Sequence, residues 1–315
     1  MNLQTYILSA AMVIFLVSNI AFASDVSSDG NPFIIRDYQH YNGPADPNLS
    51  PDKSKIAYVL YKPDYENNVW TNRLVLLDRG KGSRDFITET KQYAIHPRWS
   101  PSGDRIAFIA NTDSKSRQIF EYVVESKQTI QATEHSTSIS HFRWSPGGGG
   151  YAYIASTKVP QKTNPHLRSY VVEGIGYPGK PPALSDIWVS RRNETATPKR
   201  VAVNIDARAR VDWHPDGQAL VYARNDKKHF DSFFHSVMYL DLEQSQETRI
   251  AQGSYPQFSP DGRSILFLAR EGEYTSGPRK TFVYDLETKT IRQFATNLDR
   301  EALGNWYSNT EALLY

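Results

Sequence analysis

The 315-residue sequence contains no cysteine, which excludes disulfides, thiolate metal sites and a cysteine nucleophile. Charge of one sign is lacking too. With 36 Lys and Arg against 34 Asp and Glu the formal net is +2, so the basic excess that drives nucleic-acid binding is missing and no nucleic-acid partner is expected. Beyond the N-terminus there is no long apolar run and no segment of convincing helical period, and a mean hydropathy of -0.55 excludes a multispanning membrane protein. What is present in abundance is aromatic: 19 Tyr, 14 Phe and 6 Trp make up 12% of the chain, a residue class suited to half-buried pleated surfaces.

The N-terminus carries one uncharged stretch, Tyr6 to Ala23, ending in Ala21-Phe22-Ala23 before Ser24. A small-x-small triplet after an apolar segment is the form that signal peptidase cuts. Residues 1–23 therefore read as a signal peptide and 24–46 as an N-terminal segment, with a periplasmic or secreted product. An uncleaved anchor is the alternative, since the stretch is about long enough to cross a bilayer. No other membrane association is expected.

From residue 47 to 315 one phrase recurs: an aromatic residue or Leu, then Ser-Pro-Asp-Gly or a variant, then a short apolar run. The copies are Leu49-Ser50-Pro51-Asp52, Trp99-Ser100-Pro101-Ser102-Gly103, Trp144-Ser145-Pro146-Gly147-Gly148, Trp213-His214-Pro215-Asp216-Gly217 and Phe258-Ser259-Pro260-Asp261-Gly262, with a decayed sixth at Trp306. Ser at position i, Pro at i+1 and Gly at i+3 specify a type I β-turn between two strands. Prolines at 51, 101, 146, 215 and 260 set a period that suits four short strands per unit. The second strands, such as Ile106-Ala107-Phe108-Ile109, are apolar throughout and read as buried on both faces, whereas fourth strands such as Thr290 to Phe294 are polar, as at an outer edge. The expected fold is all-β, a β-propeller of WD40-like, TolB-type four-stranded blades, five complete plus a partial sixth. A sandwich does not repeat one turn at such a period.

Asp46-Pro47-Asn48-Leu49-Ser50-Pro51-Asp52, His96-Pro97-Arg98-Trp99-Ser100-Pro101 and Asn297-Leu298-Asp299-Arg300 ahead of Trp306 resemble the propeller of the acylaminoacyl-peptidase branch of the prolyl-oligopeptidase family. TolB-type propellers use the same repeat but carry an α/β domain first. The resemblance implies a propeller that restricts which peptides reach an α/β-hydrolase domain, whose nucleophile sits on a G-x-S-x-G elbow. Ser264 is the nearest match to that elbow. It lacks the second Gly and sits in a repeat strand, so this chain is expected to be non-catalytic.

Other chemistry is thin. The eight His residues include no H-E-x-x-H, and His229 with His235 falls in an aromatic loop without a metal-binding spacing. His214 takes the place of the motif Ser and reads as a turn cap. Gly147 to Gly150 stands where Asp-Gly stands in sister repeats and no helix follows, so it reads as a loose hairpin turn rather than a phosphate cradle. No cofactor or metal is expected. One irregularity remains, because the segment from Thr157 to Leu184 lengthens the third repeat between its second and third strands. It carries Arg168, Tyr170, Glu173 and Tyr177 together with Pro178-Gly179-Lys180-Pro181-Pro182. These residues are the candidate contacts for a peptide or protein partner, a hydrolase domain among them, while a solvated loop or extra hairpin is the plainer reading. Two further functions stay open: a standalone TolB-like binding scaffold, and a polyanion-lyase-type propeller, which needs a convergent His/Arg/Tyr cluster. The apolar run Ala312 to Tyr315, with no strand after it, leads to the expectation of an incomplete ring.

Overall fold

The computed structural model describes residues 43–64, 67–89, 93–112, 116–157, 184–191, 197–206, 210–225, 235–270, 279–294, 304–306 and 308–314. Residues 1–23, read above as a signal peptide, His229 and the inner part of the insertion, with Arg168, Tyr170, Glu173 and Tyr177, lie outside them. Every regular element among the described residues is a strand, so no described helix is long and apolar enough to cross a membrane.

The chain divides into two compact units, 1–133 and 134–315. The first holds two four-stranded antiparallel sheets, each in sequential order. The first sheet comprises β1 (Gly43–Leu49), β2 (Lys55–Asp64), β3 (Val69–Asp78) and β4 (Arg84–Phe86). The second comprises β5 (Ala94–Trp99), β6 (Arg105–Asn111), β7 (Arg117–Val123) and β8 (Gln128–Gln131). β1 begins at Gly43, so the strand takes in residues 43–46, which the sequence division placed in the preceding segment.

The second unit holds three such sheets and a two-stranded one. They are β9 (Ile139–Trp144) to β12 (Lys199–Asp206) through β10 (Gly150–Ser156) and β11 (Leu184–Arg191); β13 (Val211–Trp213) to β16 (Gln246–Gln252) through β14 (Ala219–Asn225) and β15 (His235–Asp241); and β17 (Ser254–Phe258) to β20 (Ile291–Gln293) through β18 (Ser264–Arg270) and β19 (Arg279–Asp285). β21 (Gly304–Trp306) pairs with β22 (Ala312–Leu314). His235 is thus the first residue of β15 rather than part of a loop.

Second strands are buried on both faces as their composition demands: Ile106, Ala107, Phe108, Ile109 and Ala110 are all fully buried. Each large apolar side chain so removed from water contributes about 1.5–3 kcal/mol. The fourth strands β4, β8 and β20 are only three or four residues long, β4 and β8 entirely exposed, which limits the edge available for pairing with other chains, whereas β12 and β16 run to eight and seven residues.

The repeated phrase folds as its residues require. The carbonyl of Ser50, Ser100, Ser145, His214 or Ser259 accepts the N–H three residues on, at 2.8–3.0 Å. That fourth residue is left-handed, with φ of 74, 70, 76 and 76° at Gly103, Gly148, Gly217 and Gly262. Lys53 holds the same place at φ 62° without glycine's freedom. The aromatic before the turn has a second task. The Trp99 indole donates to the Asn48 carbonyl at 3.1 Å while Asn48 Oδ1 accepts the Trp99 N–H at 2.8 Å, which latches sheet two onto sheet one. In the second unit Trp213 donates to the Arg143 carbonyl at 3.4 Å and Trp306 to that of Gln257 at 3.2 Å. His214 likewise does more than cap its own turn. Its Nδ1 lies 2.7 Å from Asp216 and its Nε2 3.2 Å from the Gly262 carbonyl in the next sheet.

Candidate functional site on the first strands

Three first strands share a strained feature, a left-handed residue directly before proline. Asp46 (φ 48°), His96 (φ 56°) and Tyr255 (φ 54°) precede Pro47, Pro97 and Pro256. Each coincides with a register shift, between Ala45 and Asn48, Ile95 and Arg98, and Ser254 and Gln257. The residue before proline is ordinarily extended, and strain of this kind, on the order of 1–3 kcal/mol, clusters where side chains must be aimed.

In the first unit the two bulges aim charge at each other. Asp46 Oδ2 lies 2.8 Å from His96 Nδ1, and Asp46 Oδ1 accepts from Arg98 Nη1 at 2.8 Å. Burial raises the Asp46 carboxyl, but hydrogen bonds and charge from His96 and Arg98 overcome it and hold the group at about 2. Burial, with Tyr93 and Asp46 nearby, pushes the Tyr61 phenol up against an Asn72 hydrogen bond. In the second unit Asp212 accepts the Phe258 N–H at 3.0 Å and faces Arg143 Nε at 3.7 Å, and burial raises its carboxyl more than that cation lowers it. The Arg210 guanidinium stands 4.9 Å from the centre of the Tyr255 ring. Within the first unit, Asp46, His96 and Arg98 thus bring one carboxylate against an imidazole and a guanidinium on neighbouring first strands. Among the described residues no group of three or more His, Asp or Glu is arranged to hold a metal.

Sequence reasoning quoted Asp46, His96 and Arg98 only as part of a resemblance. The signal for the bulges was the x-Pro pair ahead of the aromatic. It also missed a cluster on the third sheet, where the His135 ring packs on Trp188 and Tyr153 at 4.9 and 5.7 Å. There, among the described residues, the Tyr153 hydroxyl and the Trp188 Nε1 are buried without a hydrogen-bond partner, and burial pushes the phenol up.

Of the predicted insertion the structure places the two roots. The N–H and hydroxyl of Thr157 both donate to the Leu184 carbonyl, at 2.9 and 2.8 Å, so the segment leaves β10 and enters β11 at one point. Ser264 opens β18 opposite Asp285 and donates its N–H to Ser259 Oγ at 2.9 Å, a ladder position rather than a strand-to-helix elbow. The turn at Gly147 to Gly150 has the same backbone hydrogen bond as its sisters, and a groove of about 1170 Å³ opens beside it.

No protein-family profile matches the sequence. Dipeptidyl-peptidase 5 of Porphyromonas gingivalis is 26% identical over 279 aligned positions, covering 76% of this chain and 39% of the relative. The β-propeller domain of the trilobed protease from Pyrococcus furiosus superposes with a TM-score of 0.61 at 18% identity, over 87% of this chain and 77% of its own. The fold is a β-propeller of four-stranded blades. Acylaminoacyl peptidase of Pyrococcus horikoshii superposes with a TM-score of 0.68 at 20% identity, over 88% of this chain and 43% of its own. The resemblance to the acylaminoacyl-peptidase branch read from the motifs therefore holds. The chain spans less than half the length of both peptidases, 39% and 43%.

Proposed function

We propose that this chain is the exported, non-catalytic propeller portion of an acylaminoacyl-peptidase-like serine hydrolase, and that it governs which peptides reach the catalytic domain. The observation that carries the reading is the alignment with dipeptidyl-peptidase 5, which runs through 76% of this chain while using 39% of the relative. Two features support it. Bulged first strands present Asp46, His96 and Arg98, a constellation suited to charged peptide ends, and the connection between β10 and β11 is long and joined at its roots.

The test is capture of the native protein from its source cells with an antibody to the propeller, followed by labelling with a fluorophosphonate. A labelled serine hydrolase in the same or a bound chain, in the extracytoplasmic fraction and with an N-terminus near Ser24, is expected. Captured chain with no labelled hydrolase would replace the reading with a standalone scaffold in the TolB manner. Met1 retained on cytoplasmic material would remove export from it.

A further inference from the structure

The five tight turns differ in where a carboxylate sits. In the turns opened by Ser50 and Ser259, Asp52 and Asp261 accept the Ser hydroxyl at 2.6 Å and the N–H of Ser54 or Arg263 at 3.1 Å. In the turn opened by His214, Asp216 accepts the Gln218 N–H at 2.8 Å. In that opened by Ser100, Asp104 accepts the Ser100 hydroxyl at 2.8 Å. The turn opened by Ser145 has Gly147 and Gly149 at the matching positions and so supplies no carboxylate of its own. Among the described residues neither the Ser145 hydroxyl nor the Gly149 N–H has a hydrogen-bond partner.

Neither glycine is demanded by the fold. Gly148 carries the left-handed φ of 70°, and Gly150 is fixed because a Cβ there would lie 2.1 Å from the Ser190 carbonyl oxygen. A Cβ at Gly147 or Gly149 meets nothing within 4 Å. Both line the groove of about 1170 Å³ between the third and fourth sheets, together with Ser145, Arg191, Lys199 and Trp213. Asp216 and Glu243 line it as well.

We propose that this groove binds a peptide through a carboxylate, which takes the place that the turn's own Asp holds in the sister blades. The Ser145 hydroxyl and Gly149 N–H donate to it, and Arg191 and Lys199 supply the positive field. Asp216 and Glu243 disfavour more highly charged anions and suit the cationic groups of a peptide. The side chains absent at 147 and 149 leave the backbone open to close approach. This site is independent of the gating role, since it uses neither the insertion nor the bulged strands.

Isothermal titration of the full chain tests it with two probe pairs: acetyl-Ala-Ala-Asp-Ala-Ala-amide against its Asn counterpart, and trialanine with a free against an amidated C-terminus. Inorganic phosphate is the control. The carboxylate member of at least one pair is expected to bind more tightly, and which pair does so identifies side-chain or C-terminal carboxylate as the source. Gly147→Asp installs the sister residue, and should melt no lower than the parent yet bind about tenfold or more weakly, the scale of a lost charge-assisted hydrogen bond. Lys199→Gln, which leaves the turn untouched, should weaken binding several-fold and flatten its salt dependence. Equal binding within both pairs, undiminished binding by Gly147→Asp and Lys199→Gln, or tighter binding of phosphate than of any peptide would each overturn the proposal.

Discussion

The two ends of each sheet obey different rules. At one end the first and second strands are joined by the same turn in all five four-stranded sheets, with the same hydrogen bond and the same left-handed fourth residue. At the other the second and third strands are joined by 65–68, 112–116, 157–183, 226–234 and 271–278, which share neither length nor composition. Turns that a backbone conformation dictates tolerate few residues, whereas connections free of that demand can vary and acquire contacts. The shared backbone geometry is thus concentrated at the turn end and the variation in length at the loop end, and the Ser145 turn departs from its sisters by lacking a carboxylate.

Substitutions can break this contrast. The largest effect is expected for Trp99→Ala, which removes a buried ring and the latch to Asn48. About 3–5 kcal/mol should be lost in denaturant unfolding, against about 1 kcal/mol for Trp99→Phe, which deletes the indole N–H bond and keeps most of the ring. Next is Gly262→Ala, whose Cβ would stand 2.3 Å from the His214 ring at a φ of 76°, whereas at Gly103 the nearest atom is Pro51 at 3.5 Å. Losses of about 2 and about 1 kcal/mol are expected, and equal losses would show that the His214 contact is unimportant.

Asp46 is the loop-end residue that runs against the contrast. Its folded carboxyl, near 2, lies below the ordinary value of 3.8. Its stabilisation is therefore complete above about pH 5 and is lost as the pH falls toward 2. About 1–2 kcal/mol is expected after allowance for partial exposure. Urea unfolding of the parent and Asp46→Asn should differ most at pH 6, with the gap narrowing steadily below about pH 4 and closing only as the pH falls below 2.

Smaller still, Lys53→Gly should raise stability by about 0.5 kcal/mol by relieving a left-handed lysine at φ 62°. Replacement of 158–183 by a short Gly-Ser link should leave the melting temperature within error while partner binding is lost. Retained binding would remove Arg168, Tyr170, Glu173 and Tyr177 from the interface, and collapse of the fold would make the insertion structural.

The turn phrases made the blades legible because Ser, Pro and Gly each answer a local backbone requirement. Trp99, Trp213 and Trp306 were legible as the aromatic of the turn phrase but not as donors, since their acceptors lie 51, 70 and 49 residues away in the sequence. Asp46, His96 and Tyr255 were written in the sequence as x-Pro pairs, yet proline ordinarily reports an extended neighbour, and the left-handed exception is set by tertiary context. Gly147 was seen as a loose turn. The missing carboxylate at that turn shows only against the hydrogen bonds that Asp52, Asp104, Asp216 and Asp261 make in the sister turns.

The joined roots of the insertion also bear on how the chain reaches its native state. Sequential antiparallel order lets most sheets form from neighbouring stretches of chain, with little entropy spent on closing loops. The third sheet differs, because β10 and β11 must meet across 157–183 where β2 and β3 meet across 65–68, an added closure cost on the order of 1.5 kcal/mol. The Thr157 and Leu184 pair closes that loop in the native state, next to the register that runs from Ser156 with Ser185 to Gly150 with Arg191. In pulsed hydrogen exchange during refolding, the amides of β10 and β11 are expected to gain protection last, and this sheet sets the pace of folding for the second unit.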